Sequence, residues 1–373
     1  MNYSKETLLI HPDLYAGNVC DLTNDKLGCI VSKLEKGKAG VSLNSFQGAI
    51  ITCMLSLVKT KDHILASNGL PSNVFAILEN VFHSLGIETT VFDSEASQEG
   101  IKSQIKENTK LILIPSINLP SMEVSDMNMF SDICKEASIP LIIDNTLASP
   151  YIIKPIEHGA NIVIQNTNPY IAANKELSAG IIVDACNFDW AATNKFETIT
   201  HTDPNIDEIN FYEVYKEKAF IAKAIFLANK RLGYNLRDEV KNKILLRIET
   251  LEIRMKKICS SSLELATYLS FHPKVDKVCY PLLPNQKHNA RNLKYLNNGG
   301  AGYITLLLKG KESNHQQLID SLDFIKVSTT TGNLETVIPP VNKGQRMIPI
   351  SLGLENIQDI KNVFELALDK ITE

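Results

Sequence analysis

Short apolar runs bounded by turn residues recur through the first half of the chain. Leu141–Ile143 lies between Pro140 and the polar Asp144-Asn145-Thr146, and Asn161–Ile164 leads into Gln165-Asn166-Thr167-Asn168-Pro169-Tyr170. Runs this short and this apolar suit strands buried on both faces of a parallel sheet. Further runs of the kind fall within Lys61–Ser67, Ile87–Phe92, Asn108–Ile114 and Leu177–Ile182. Between them, apolar residues at helical spacing predict helices over Asp25–Lys36, Ala76–Leu85 and Met127–Ala137. The alternation from 37 to 183 predicts a mostly parallel, doubly wound α/β sheet, which binds ligands beyond the carboxyl ends of its strands. Asp144 and Asn166 stand at two such ends.

Beyond 237 the pattern changes. A long amphipathic stretch over Asp238–Leu269 predicts a connecting helix. Strands at Ala301–Leu308 and Arg346–Leu352 then alternate with helices at His315–Leu322 and Ile357–Leu368. The expected organisation is an N-terminal arm at 1–18, a large domain at 19–236 and a smaller α+β domain at 237–373.

Composition narrows the classes. The chain has 373 residues, 44% apolar and 21% charged, with a net charge of −4. That balance gives no reason to expect nucleic-acid or anionic-membrane partners. No run approaches the length of a membrane span, and the first residues lack the apolar core of a signal peptide. Seven cysteines are scattered without CxxC or Cys/His ligand spacing, so reduced thiols in a cytoplasm and no metal site are expected.

The stretch DNTLASPYIIKPIEHGANIV, from Asp144 to Val163, resembles the core of the pyridoxal-phosphate enzymes of cysteine and methionine metabolism. Cystathionine γ-synthase, the γ-lyases and O-acetylhomoserine sulfhydrylase belong to that group. KDHILAS at Lys61–Ser67, TLEIRM at Thr250–Met255 and Leu34-Glu35-Lys36-Gly37 also resemble family motifs, and the likeness runs from about residue 15 to the end. Residues 186–222 resemble the insertion of the O-acetylhomoserine sulfhydrylase branch. The resemblance implies a PLP-transferase (aspartate aminotransferase-like) fold with a smaller C-terminal domain. It also implies large paired surfaces, hence a homo-oligomer (dimer or tetramer) or a hetero-oligomer with an active relative.

The same resemblance exposes losses. The family's His-Ser-x-Thr-Lys-Tyr run carries the cofactor on its lysine, and here Pro169 holds that position. Proline has no amine to form the Schiff base. The arginine that clamps the substrate carboxylate is Pro349, the tyrosine stacked on the pyridine ring is Pro71, the phosphate-loop glycine is Phe46, and a cofactor-contacting asparagine is Leu119. Tyr15 matches weakly a tyrosine of the family's N-terminal arm. Catalytic residues are therefore expected to be none.

Vestigial cofactor contacts remain as candidates: Asp144, Asn166, Asn168, Gln47, Asn118 and Lys175. By resemblance Asp144 would pair with a pyridinium nitrogen, but as a turn residue it would cap backbone N–H groups, the role expected with its partners missing. Asn166 and Asn168 replace hydroxyl residues that bind phosphate, and an amide can still donate to an anion. Asn118 is one position from the lost asparagine. Lys175, six residues past Pro169, would be a substitute amine or an exposed loop lysine. The expected cofactor is none, or weakly held pyridoxal phosphate. The expected function is a degenerate homologue acting as a partner or regulatory subunit. The alternative is an enzyme of altered chemistry, holding pyridoxal phosphate or another small molecule without the usual lysine.

Overall fold

A computed structural model of the protein describes residues 25–202, 209–311, 313–322, 324–328, 334–340 and 346–371. The expected arm at 1–18, with Tyr15, lies outside them. Seven strands form the first sheet: β1 Ala39–Leu43, β2 His63–Ser67, β3 Glu88–Phe92, β4 Thr109–Pro115, β5 Leu141–Asp144, β6 Ile162–Asn166 and β7 Gly180–Asp184. Their order is β1-β7-β6-β5-β4-β2-β3. The block from β6 through β3 is parallel, and β7 is antiparallel to both of its neighbours. All residues of β1, β2, β4, β5 and β7 are buried, as strands covered on both faces are. β3, an edge strand, is largely open to solvent.

Alternate strand residues feed two cores. Leu141, Ile143, Ile112, Ile114, Ile181 and Val183 face one, together with helices α1 (Lys26–Leu34) and α5 (Met127–Ala137). Ile142, Leu111, Leu113, Ile162, Ile164 and Ile182 face the other, which takes in α2 (Phe46–Leu55) among the helices that cover it. Helices on both faces make the sheet doubly wound, as expected. The first core continues without a break into a second sheet of β8 Val275–Cys279, β9 Tyr303–Leu308, β10 Lys326–Val327, β11 Val337–Ile338 and β12 Ile348–Ser351, ordered β10-β11-β12-β9-β8.

Three expectations need correction, and one strand is additional to those expected. The long stretch at Asp238–Leu269 is two helices, Asp238–Ile248 and Leu251–Ser270. The break has a local cause: the Arg247 carbonyl accepts from the Thr250 N–H at 3.3 Å and from Arg254 Nη2 at 2.9 Å instead of continuing the ladder. The helix expected over Ala76–Leu85 begins earlier, at Ser72, and passes through a π turn at Leu78–Phe82. Arg346 precedes β12 and is exposed. β1, which the pattern did not mark as a strand, pairs with β7 and brings Leu43 beside Gly180.

Candidate functional site

Asp144 ends β5, and its paired neighbour on β6 is Ile164, two residues before Asn166. The residue is 5% exposed, and its carboxyl accepts the Thr146 N–H on Oδ1 at 3.0 Å. Burial pushes its pKa up to about 6, against the opposing pull of the Thr146 hydrogen bonds. Thr146 Oγ1 in turn accepts the Asn166 N–H at 3.0 Å. The two strand ends are thus brought together, and the turn-capping role expected of Asp144 is the one its contacts perform.

From Asn166 the chain continues as linked side-chain caps. Asn166 Oδ1 accepts the Asn168 N–H at 3.1 Å, and Asn168 Oδ1 accepts the Asn174 N–H at 3.2 Å. The two Nδ2 groups have no partner among the described residues, so each amide keeps a donor to offer. Between them and Tyr170 sits Pro169, buried and joined to Asn168 by a cis peptide. The segment that follows is held from outside: Arg254 donates to the carbonyls of Tyr170 at 2.6 Å and Ile171 at 3.1 Å, and Arg247 Nε donates to that of Ala172 at 3.0 Å. Arg254 is 5% exposed, and burial lowers its pKa to about 10.

The remaining candidates do not join this group as ligand contacts. Asn118 is 2% exposed and spent as a loop brace, its Nδ2 donating to Glu123 O at 3.0 Å and Ser125 Oγ at 2.9 Å. Its side chain packs so closely on Gly69 that a Cβ there would stand 2.0 Å from Asn118 Oδ1. Gln47 is exposed in the first turn of α2. Lys175 is exposed, opens a single 3-10 turn capped by Asn174, and has no partner among the described residues.

These residues do not fit pyridoxal phosphate held in the manner the resemblance implies. Ser45 caps α2 by accepting the Gly48 N–H at 3.0 Å, and Phe46 is 3% exposed in the second core. The start of α2 presses on β7, where a Cβ on Gly180 would lie 2.8 Å from Phe46 Cα. Pro349 is buried in β12 opposite Thr305 and offers no guanidinium.

Behind the strand ends lies a cluster that the resemblance of Leu34-Glu35-Lys36-Gly37 does not announce. Glu35, at the end of α1, is fully buried, and its Oε1 accepts Nδ2 of Asn145 at 2.9 Å and Nε2 of Gln165. Burial pushes its pKa up to about 7. The signal available in the sequence was a carboxylate beside Leu34 at the end of an apolar helix stripe, followed by Gly37. Separately, a cavity of about 400 Å³ opens between α1, β1 and the helix at Asp238–Ile248, lined by Asp25, Ser42, Asn235 and Lys241 among others. It shares no lining residue with the strand-end group.

The comparisons with known proteins agree with this fold. A profile of the family described as Cys/Met metabolism PLP-dependent enzyme matches residues 16–369. The O-acetyl-L-homoserine sulfhydrylase of Leptospira meyeri is 29% identical, over 94% of this chain and 84% of its own length. The homocysteine synthase of Schizosaccharomyces pombe is 28% identical, over 91% of this chain and 83% of its own. Among solved structures, one from Campylobacter jejuni, assigned as an O-acetylhomoserine (thiol)-lyase and holding N'-pyridoxyl-lysine-5'-monophosphate, superposes with a TM-score of 0.86. It is 22% identical and covers 92% of this chain and 85% of that one. The O-acetylhomoserine sulfhydrylase of Wolinella succinogenes gives a TM-score of 0.80 at 23% identity, with 92% and 97% coverage.

Proposed function

The chain belongs to the Cys/Met metabolism PLP-dependent enzyme family, and from that premise we propose that it has lost the family's lysine-dependent chemistry. It acts instead as a partner or regulatory subunit, in a homo-oligomer or beside an active, lysine-bearing relative. The observation that carries this reading is Pro169, buried where the resemblance places the Schiff-base lysine. A proline supplies no amine, and no rotamer repairs that. The burial of Phe46 in the second core, where the resemblance places a glycine, and the exposure of Lys175 support it.

A second reading rests on the Nδ2 groups of Asn166 and Asn168, which have no partner among the described residues, at the strand end that Thr146 ties to the buried Asp144. A small anion or a carboxylate-bearing molecule could be held there without a covalent bond.

The test is purification with pyridoxal phosphate present, removal of the excess, and absorption from the near ultraviolet to the violet before and after borohydride. The expected result is no bound chromophore, together with capture of a lysine-bearing relative from the source cell. Bound chromophore that borohydride does not fix would favour the second reading. An adduct trapped on one lysine would overturn the proposal, and peptide mapping would show whether Lys175 carries it.

A further inference from the structure

Glu35, Asn145 and Gln165 form a sealed set with more acceptors than donors. All three side chains are fully buried. Both amide nitrogens converge on Glu35 Oε1, and Asn145 Nδ2 also donates to the Ile153 carbonyl at 2.9 Å. That leaves Glu35 Oε2, Asn145 Oδ1 and Gln165 Oε1 buried, each without a hydrogen-bond donor among the described residues. Buried acceptors left unmade are costly, and an ionised carboxylate with no ion partner in contact is costlier still. Lys154, half-buried in the loop beyond Ile152, is the charge that acts on Glu35, and it makes no ion pair with it. Asn145 and Gln165, facing Glu35 from the ends of β5 and β6, are neutral.

We propose that Glu35 holds a proton in the folded protein and is a proton-operated lock behind the strand ends. The carboxylic acid hydroxyl is a donor this set lacks: a proton on Oε2 turns one orphaned acceptor into a donor and removes the buried charge. Asn145 directly follows Asp144, and Gln165 directly precedes Asn166. The lock therefore sets where the two strand-end residues stand, and ionisation of Glu35 around neutral pH, where its raised pKa lies, loosens both. Glu35 is a positioning residue here. The inference concerns the fold behind the site and stands whether or not the chain binds a cofactor.

The test is chemical denaturation of the wild type and Glu35→Gln from pH 5 to pH 8, in potassium, sodium and choline chloride. Folding takes up a proton at Glu35, so the wild type should lose stability as pH rises. Its folding equilibrium should fall roughly 100-fold more than that of Glu35→Gln, equally in all three salts. Parallel pH profiles would overturn the proposal. So would a stabilisation by potassium or sodium that Glu35→Gln abolishes, since the set would then be holding a metal cation. If Glu35→Gln does not fold, carbon-13 NMR of glutamate-labelled wild type decides. A carboxyl titrating near neutrality, with the Asn145 and Asn166 amides moving at the same midpoint, is the expected result. Glutamates that all titrate in the ordinary range would refute it.

Discussion

The backbone N–H of Asn166 donates to Thr146 Oγ1 at 3.0 Å, so a hydroxyl from the turn after β5 closes the end of β6. That bond joins the two strand ends on which the candidate site stands. Replacing Thr146 by Val keeps the shape and removes the acceptor, leaving a partly buried N–H unpaired. The expected cost is about 1–2 kcal/mol in chemical denaturation, with Thr146→Ser largely restoring it. A Thr146→Val protein as stable as the wild type would show that water replaces the hydroxyl.

Asp144 should impose a pH dependence of its own. Its pKa climbs from the ordinary 3.8 to about 6 on folding, through burial. The neutral form is favoured in the folded state, so the contribution is fully present below the unfolded value and is lost as pH rises through about 6. At 1.36 kcal/mol per pH unit the loss reaches roughly 3 kcal/mol. Asp144→Asn keeps an oxygen for the Thr146 N–H and cannot ionise. Its stability should match that of the wild type near pH 4 and exceed it at pH 7.5. Asp184, also raised by burial to about 7, contributes its slope to both proteins and cancels in the difference. Identical slopes would mean that Asp144 titrates normally.

Pro169→Lys tests whether one residue separates this chain from its relatives. The other altered positions remain: Phe46 in the core, Leu119 packed against the other core, and Pro349 in β12. The expected protein carries no chromophore after pyridoxal phosphate loading and borohydride. It should also be less stable by about 1–3 kcal/mol, because an amine enters a buried position. A saturable adduct at position 169 would show instead that the pocket persists and that the proline alone blocks it.

The sheet was legible because its strands are continuous apolar runs between turn residues. Leu141–Ile143 and Asn108–Ile114 announce β5 and β4 on that pattern alone. β1 was not, since Ala39, Gly40 and Ser42 dilute its apolar signal and its burial depends on the helices packed around it. The lost lysine was legible as Pro169, because a missing functional group needs no geometry to be noticed. What single-residue reading could not supply was use. Asn118 looked like a spare ligand, yet its amide is consumed by Glu123 and Ser125. Glu35 looked like a motif residue, yet it pairs with Asn145 and Gln165, more than a hundred positions away. Hydrogen bonds over such separations are set by tertiary packing and leave no local periodicity.

Arg254 holds the segment after Pro169 with a fork that lysine cannot copy. Its guanidinium donates to the carbonyls of Tyr170, Ile171 and Arg247 and, through Nε, to Thr250 Oγ1 at 3.1 Å. A lysine ammonium is a single point on a flexible stem and cannot reach all of these at once. Arg254→Lys should leave at least one buried carbonyl unpaired, at a cost of about 2–4 kcal/mol. The loss should be local before it is global. Amide hydrogen exchange of Ala172, whose N–H bonds the Thr167 carbonyl at 2.8 Å, should accelerate more than that of strand β4. Uniform acceleration across both would assign Arg254 to general packing, and unchanged exchange would show that Arg247, through Ala172, holds the segment alone.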